Sequence, residues 1–115
     1  MVHHSLPSLD HTFAALADPT RRGILLQLGG ADTSITNLAA EFRMTLTGIK
    51  KHVAVLERAG LVETEKVGRV RVCRLGRRRL DEERAWLERY RQLLEARFDA
   101  LDELVRELTQ KERGR

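Results

Sequence analysis

Apolar positions recur at helical spacing four times along this chain before the pattern changes. His11–Ala17 carries Phe13, Ala14, Leu16 and Ala17 and stops at Asp18-Pro19. That pair also opens the next element, because aspartate caps a helix N-terminus and proline suits its first position. Pro19–Leu28 then sets Ile24, Leu25 and Leu28 on one face, and Gly29-Gly30 predicts its end. After a loop at 31–34, Ile35, Leu38, Ala39 and Phe42 mark a third helix. Arg43-Met44-Thr45 reads as a turn. Leu46, Ile49, Val53 and Leu56 then predict a fourth helix over Leu46–Ala59, capped by Thr45 and ended by Gly60.

The period now switches to strands. Leu61–Val67 and Val70–Leu75 are β-rich and flank Gly68-Arg69, where a glycine at positive φ closes a hairpin. The last third returns to helix over about 79–111. Leu80, Leu87, Leu94, Leu101 and Leu108 form a strict seven-residue repeat, with Tyr90, Phe98, Leu104 and Val105 filling the intervening turns. Such a helix is roughly 45–50 Å long, more than so small a domain can cover. The stripe therefore predicts pairing between subunits; the alternative is an amphipathic helix lying on its own domain. The architecture expected is mainly α with a small β-hairpin. A single domain over 1–115 would hold a helix-turn-helix at 35–59, a wing at 61–75 and the long C-terminal helix.

Composition sharpens this picture. Five aromatic residues are a thin supply for a core, which again points to apolar surface shared with a second copy. Residues 43–79 hold eleven Lys/Arg against three Asp/Glu, whereas each flanking segment is slightly acidic. Concentrated positive charge of this kind suits a polyanion, since each cation near a phosphate releases counterions. No segment approaches the about 20 apolar residues of a membrane span. The N-terminus also lacks the basic and apolar regions of a secretory signal. The lone Cys73 fits a reducing, cytoplasmic setting.

The candidate chemistry lies on the fourth helix and the hairpin. With Ile49, Val53 and Leu56 turned inward, Thr47, Lys50, Lys51, Ala54 and Arg58 face outward. Thr47 and Gly48 sit at the end that enters a major groove first. Lysines and threonine can donate to guanine edges or phosphates. His52 either donates to DNA or caps the interface with the preceding helix. Arg69 and Arg71 at the wing suit phosphate or minor-groove contact, or are simply solvated. Arg77, Arg78 and Arg79 either track a backbone or begin the last helix. Arg21 and Arg22 are expected to pair internally with acidic groups in preference to contacting DNA. His3, His4 and His11 with Asp10 match no four-ligand zinc pattern. Cys73 reads as a small apolar filler, or as a redox sensor if exposed and acidified. No Ser–His–Asp set, paired carboxylates or phosphate-cradling loop is found.

The segments FAALADPTRRGILLQL, ITNLAAEFRMTLTGIKKHVAVLERAGLV and VGRVRVCRL resemble, in that order, three parts of the ArsR/SmtB family of small bacterial repressors. These are its opening helices, its helix-turn-helix through the first wing strand, and its wing. The likeness covers residues 10–76 closely and the remainder by architecture. It implies a homodimeric winged helix-turn-helix regulator, not an enzyme, binding an imperfect palindrome of double-stranded DNA and most simply repressing. Thr45, Thr47, Gly48, Lys50, Lys51, His52, Arg69 and Arg71 would face DNA. Phe13, Leu80, Leu87, Tyr90, Leu94, Phe98, Leu101, Leu104 and Leu108 would form the dimer interface. Metal-sensing members carry cysteines in the helix corresponding to 35–42, or histidines on the last helix. This chain has neither, so the resemblance is to the branch without metal or cofactor. The family's usual serine in the recognition helix is Lys50 here.

Overall fold

The computed structural model describes residues 6–114, and the chain forms two units that meet in sequence between Arg79 and Leu80. The first begins with α1 (Leu6–Leu16), which starts five residues before the His11 expected from apolar spacing. Its buried positions, Leu9, Thr12 and Ala15, fall three residues apart, and one of them is polar. The Thr12 hydroxyl donates back to the Ser8 carbonyl at 3.0 Å, so its burial leaves no unpaired donor.

The corner into α2 (Pro19–Gly30) follows from four residues. Asp18 accepts the Arg21 backbone N–H at 3.1 Å, and Pro19 occupies the first turn. Arg21 then reaches back, donating from Nε to the Ala15 carbonyl (2.9 Å) and from Nη2 to that of Ala14 (3.0 Å). Arg22 does the same to Leu16 at 2.7 Å. The two arginines are thus engaged internally, as expected, but with the orphaned carbonyls at the end of α1 rather than with acidic groups. α2 ends on the expected Gly29-Gly30 pair, with both glycines inside the helix. Neither glycine takes a positive φ, and the helix runs through both to an extended Ala31.

The segment expected to be a loop contains β1 (Thr33–Ser34), which pairs antiparallel with the second wing strand, Thr33 opposite Cys73. Ser34 also caps α3 (Ile35–Glu41), accepting from the Asn37 N–H. The turn after α3 closes with the Met44 N–H on the Ala39 carbonyl (3.0 Å) and the Arg43 N–H on that of Ala40 (3.2 Å). This is a Schellman closure in which Arg43, at φ 53°, occupies the left-handed position usually held by glycine. Thr45 caps α4 (Leu46–Arg58) through the Gly48 N–H at 3.0 Å, as expected. Ile49, Val53 and Leu56 are buried, but Leu46 is 43% exposed. It sits in the first turn of α4 and lines a surface groove instead of joining the core.

The wing is β2 (Val62–Val67) and β3 (Val70–Leu75), closed by the Val67–Val70 pair around Gly68 at φ 65°. Only the first turn position has positive φ, the pattern of a type II′ hairpin turn whose twist suits the strands. The sheet order is β1-β3-β2. Its inner face buries Cys73 in a core that also holds Ile24, Leu28, Leu38, Ile49, Val53 and Leu56.

The second unit is α5 (Asp81–Arg113), preceded by Leu80 in a left-handed conformation at φ 62°. Spacing makes Leu80 the first leucine of the helical stripe, but it is the N-cap, so the stripe on the helix proper begins at Leu87. Asp81, Glu82 and Glu83 open the helix, while Lys111 and Arg113 close it, each sign matching the dipole end it faces. Arg91 is held by Glu88 (2.7 Å) and Glu95 (2.6 Å), and Trp86 stacks on Tyr90 with centroids 5.6 Å apart. Leu87, Leu94, Phe98, Leu101, Leu104 and Leu108 remain exposed along its length.

Candidate nucleic-acid interface

The helix-turn-helix and the wing enclose a groove of about 520 Å³ that opens to solvent. Leu46 and Lys50 enter it from α4, Thr36 and Asn37 from α3, and Lys66, Arg69 and Arg71 from the hairpin. Strand parity explains the charge on this side. Lys66 is registered opposite Arg71, two residues from the Thr64–Cys73 pair, so both share the face that turns toward the helices. On the opposite face Arg74 is neutralised by Glu65 at 2.6 Å and Glu63 at 3.7 Å. One side of the hairpin therefore presents cations with no carboxylate partner among the described residues, and the other presents closed ion pairs.

The candidate residues separate into three kinds. Thr45, Thr47, Lys50, Lys51 and Arg69 are exposed, and none of these three cations forms an ion pair among the described residues. Gly48 is half-buried, and a Cβ there would press on the Met44 methyl (3.1 Å) and the Thr45 hydroxyl (3.2 Å). The cap itself thus supplies a reason for glycine. Arg71 and His52 already have partners. Arg71 donates to the Thr64 hydroxyl at 2.9 Å, and that hydroxyl donates to Glu57 Oε2 at 2.7 Å, tying the wing to the far end of α4. His52 turns Nδ1 toward the α1–α2 corner, 3.2 Å from Arg21 Nη1 and 3.9 Å from Asp18 Oδ2. The Arg21 N–H holds the Asp18 carboxyl below the usual carboxylate range, with His52 and the Arg21 charge adding to the effect.

Two residues of the arginine run 77–79 are exposed, but Arg78 donates to the Thr12 hydroxyl (2.5 Å) and the Ala59 carbonyl (2.8 Å), a latch across the first unit. Sequence reasoning passed over Lys66, Thr36 and Asn37. Lys66 was recoverable from strand alternation once the hairpin register was known. The position of α3 beside the wing depends on β1, which no periodicity announces. Cys73 is fully buried, and desolvation with the nearby Glu57 pushes its thiol up, against a smaller opposing effect of Arg71. His3 and His4 lie outside the described residues; among those described, no three metal-ligating side chains cluster. No helix among the described residues is long and apolar enough to cross a membrane.

Comparison with known proteins agrees with this geometry. A model of a helix-turn-helix domain matches residues 16–65. The transcriptional repressor SdpR of Bacillus subtilis is 32% identical over 60 residues, spanning 52% of this chain and 67% of that protein. An ArsR-like transcriptional regulator from Rhodococcus sp. RHA1 superposes with a TM-score of 0.74 at 35% identity, over 91% of this chain and 96% of the other. A homodimeric winged helix-turn-helix DNA-binding domain from Mycobacterium bovis aligns at 25% identity with a TM-score of 0.59, covering 79% and 81% of the two chains. With the capped recognition helix, the hairpin wing and the long last helix all in place, this chain belongs to the ArsR family of winged helix-turn-helix transcriptional regulators.

Proposed function

We propose that the protein is a homodimeric repressor that reads an imperfect palindrome in promoter DNA and releases it without sensing a metal. The observation that carries this reading is the set of cations around the groove, Lys50, Lys66 and Arg69, which have no ion-pair partner among the described residues, beside the exposed Thr47 and Lys51. In the proposed complex Thr47, Lys50 and Lys51 approach base edges from the N-terminal half of α4. Thr45 and Gly48 bring its backbone close to the strand, His52 donates from its flank, and Arg69, Arg71 and Lys66 hold phosphates beside it.

A second copy is proposed to cover the apolar stripe of α5: Leu87, Tyr90, Leu94, Phe98, Leu101, Leu104 and Leu108, with Leu80 at its head. Phe13 on α1 offers further apolar surface. The exposure of that stripe along the whole helix supports this, as does the homodimeric Mycobacterium bovis relative. A two-fold dimer would space its recognition helices about 34 Å apart, one turn of DNA.

Binding isotherms on a selected operator and on scrambled duplex, at several salt concentrations, test the reading. Lys50→Ala is expected to lower the ratio of operator to scrambled affinity. Arg69→Ala is expected to weaken both alike and reduce the salt slope by about one unit. If neither variant alters binding, α4 and the wing are not the DNA surface. A monomeric mass by sedimentation equilibrium would overturn the dimer. Loss of operator affinity on stoichiometric zinc would overturn metal independence.

A further inference from the structure

His52 stands apart from the other candidate contacts because one of its ring nitrogens is already committed. Arg21 Nη1 lies 3.2 Å from Nδ1, and a guanidinium can only donate. Nδ1 must therefore be the acceptor, and a neutral ring then carries its proton on Nε2. A proton on Nδ1 would point at a permanent cation; the Asp18 carboxylate, which favours such a proton, is 3.9 Å away and already accepts the Arg21 N–H. Arg21 is itself fixed, with Nε and Nη2 spent on the Ala15 and Ala14 carbonyls at the end of α1. The imidazole edge bearing Nε2 makes no hydrogen bond among the described residues and is not sealed from solvent. His52 sits at the middle of α4, directly after Lys50 and Lys51.

We propose that Arg21 is a positioning residue for DNA recognition: it locks His52 in the Nε2–H form, so that His52 meets DNA as a hydrogen-bond donor to a phosphate oxygen. This rests on the reading of α4 as the DNA-contacting helix. It also gives Arg21 a role beyond closing the α1–α2 corner. The lock joins the end of α1 to the recognition helix through one guanidinium, so a shift of α1 is felt at a DNA-contacting nitrogen. Donor geometry matters here because a phosphate oxygen only accepts. The Nδ1–H form, with Nε2 bare, would present a lone pair to an anion.

Glutamine places its amide N–H₂ near the position of Nε2, and asparagine places one near Nδ1, so the two substitutions separate the tautomers. On a duplex selected from a random library by the full-length protein, His52→Gln is expected to hold affinity within about threefold, whereas His52→Asn and His52→Ala lose roughly tenfold. Arg21→Met should weaken binding about fivefold in the wild type and Arg21→Lys less, and Arg21→Met should cost almost nothing more in the His52→Gln background. Equal losses in both backgrounds would mean that Arg21 acts only on the fold or touches DNA itself, and would overturn the proposal. The wild type provides a check independent of folding. Long-range ¹H–¹⁵N spectra of the imidazole should show the proton on Nε2 and a bare Nδ1, and the reverse pattern refutes the lock. If His52→Ala leaves binding intact while Lys50→Ala impairs it, the DNA reading stands and this inference falls. If neither changes binding, the DNA reading itself falls.

Discussion

Arg43 is the residue at which sequence and backbone disagree most plainly. It holds the left-handed position of the Schellman closure, at φ 53°, in the turn that sets α4 against α3. A side chain with a Cβ costs roughly 1–2 kcal/mol in that region, and glycine avoids the cost. Glycine also frees the unfolded chain, which gives back about 0.4–1 kcal/mol. Arg43→Gly should therefore stabilise the protein by about 0.5–1 kcal/mol, and Arg43→Asn by less. Arg43→Val should destabilise it, since a β-branched residue fits that region worst. For a unit of this size the glycine variant should melt about 2–6 °C higher. Calorimetry, or urea midpoints at constant m-value, reads the ordering Gly above Asn above Arg above Val. A glycine variant that melts lower than the wild type would refute the reasoning, because it would mean that the Arg43 side chain contributes more than its backbone costs. The guanidinium has no partner in the protein among the described residues. Any loss of affinity on removing it should therefore appear in the salt slope for DNA and not in stability.

Three further expectations follow from a close backbone contact, a buried thiol and a capping carboxylate. Gly76 donates to the Leu61 carbonyl at 2.8 Å, and a Cβ there would overlap the Gly60 carbonyl oxygen. Gly76→Ala should cost about 1–3 kcal/mol in urea unfolding, and a neutral result would mean the backbone there yields freely. Cys73, buried and with its thiol pushed up, should react with a disulfide reagent at pH 8 at least about a hundredfold more slowly in the native protein than in urea; equal rates would restore a redox role. Asp18 is held below the ordinary carboxylate range, so its contribution is present above the unfolded value and lost as pH falls through the folded one. Asp18→Asn keeps a capping oxygen but removes the charge, so its urea midpoint should fall less steeply below pH 4 than that of the wild type. Parallel curves would place the acid sensitivity elsewhere.

The parts legible in the sequence were those in which a side chain reports its own surroundings. Ile49, Val53 and Leu56 spell out the inner face of α4, Thr45 marks its cap, and Gly68 marks the hairpin turn. The parts that escaped were those set by backbone partners. β1 is two residues long and exists because β3 offers it a free edge, which no periodicity records. A sequence displays acidic side chains and hides carbonyls, so it points Arg21 and Arg22 toward carboxylates when their side chains bond the carbonyls at the end of α1. Gly29-Gly30 marks the end of α2, but that both glycines stay inside the helix is set by the backbone and not by their identity. Spacing alone places Leu46 and Leu80 on apolar stripes. Both lie where a helix begins, the place at which spacing stops predicting which way a side chain points.

The same contacts explain how a helix with so polar an outer face is held still. Below, α4 rests on Ile49, Val53 and Leu56, which resist displacement but, being non-directional, fix its rotation only loosely. Two polar ties supply the direction. Near its N-terminal half His52 is bonded to Arg21, which is anchored on the end of α1; near its C-terminal end Glu57 accepts from Thr64, which in turn receives Arg71 from β3. One tie runs to the α1–α2 corner and the other to the wing, so rotation of α4 about its axis would strain at least one of them. Neither tie uses Thr47, Lys50 or Lys51. The residues proposed to read DNA are thereby left without internal obligations on a helix whose orientation is set by others. Binding then orders only a few long side chains and not the element that carries them. Breaking the Glu57–Thr64 tie, as in Thr64→Val, should accordingly reduce discrimination between operator and scrambled DNA more than it reduces affinity for scrambled DNA, since phosphate contacts tolerate a loosely held helix and base contacts do not.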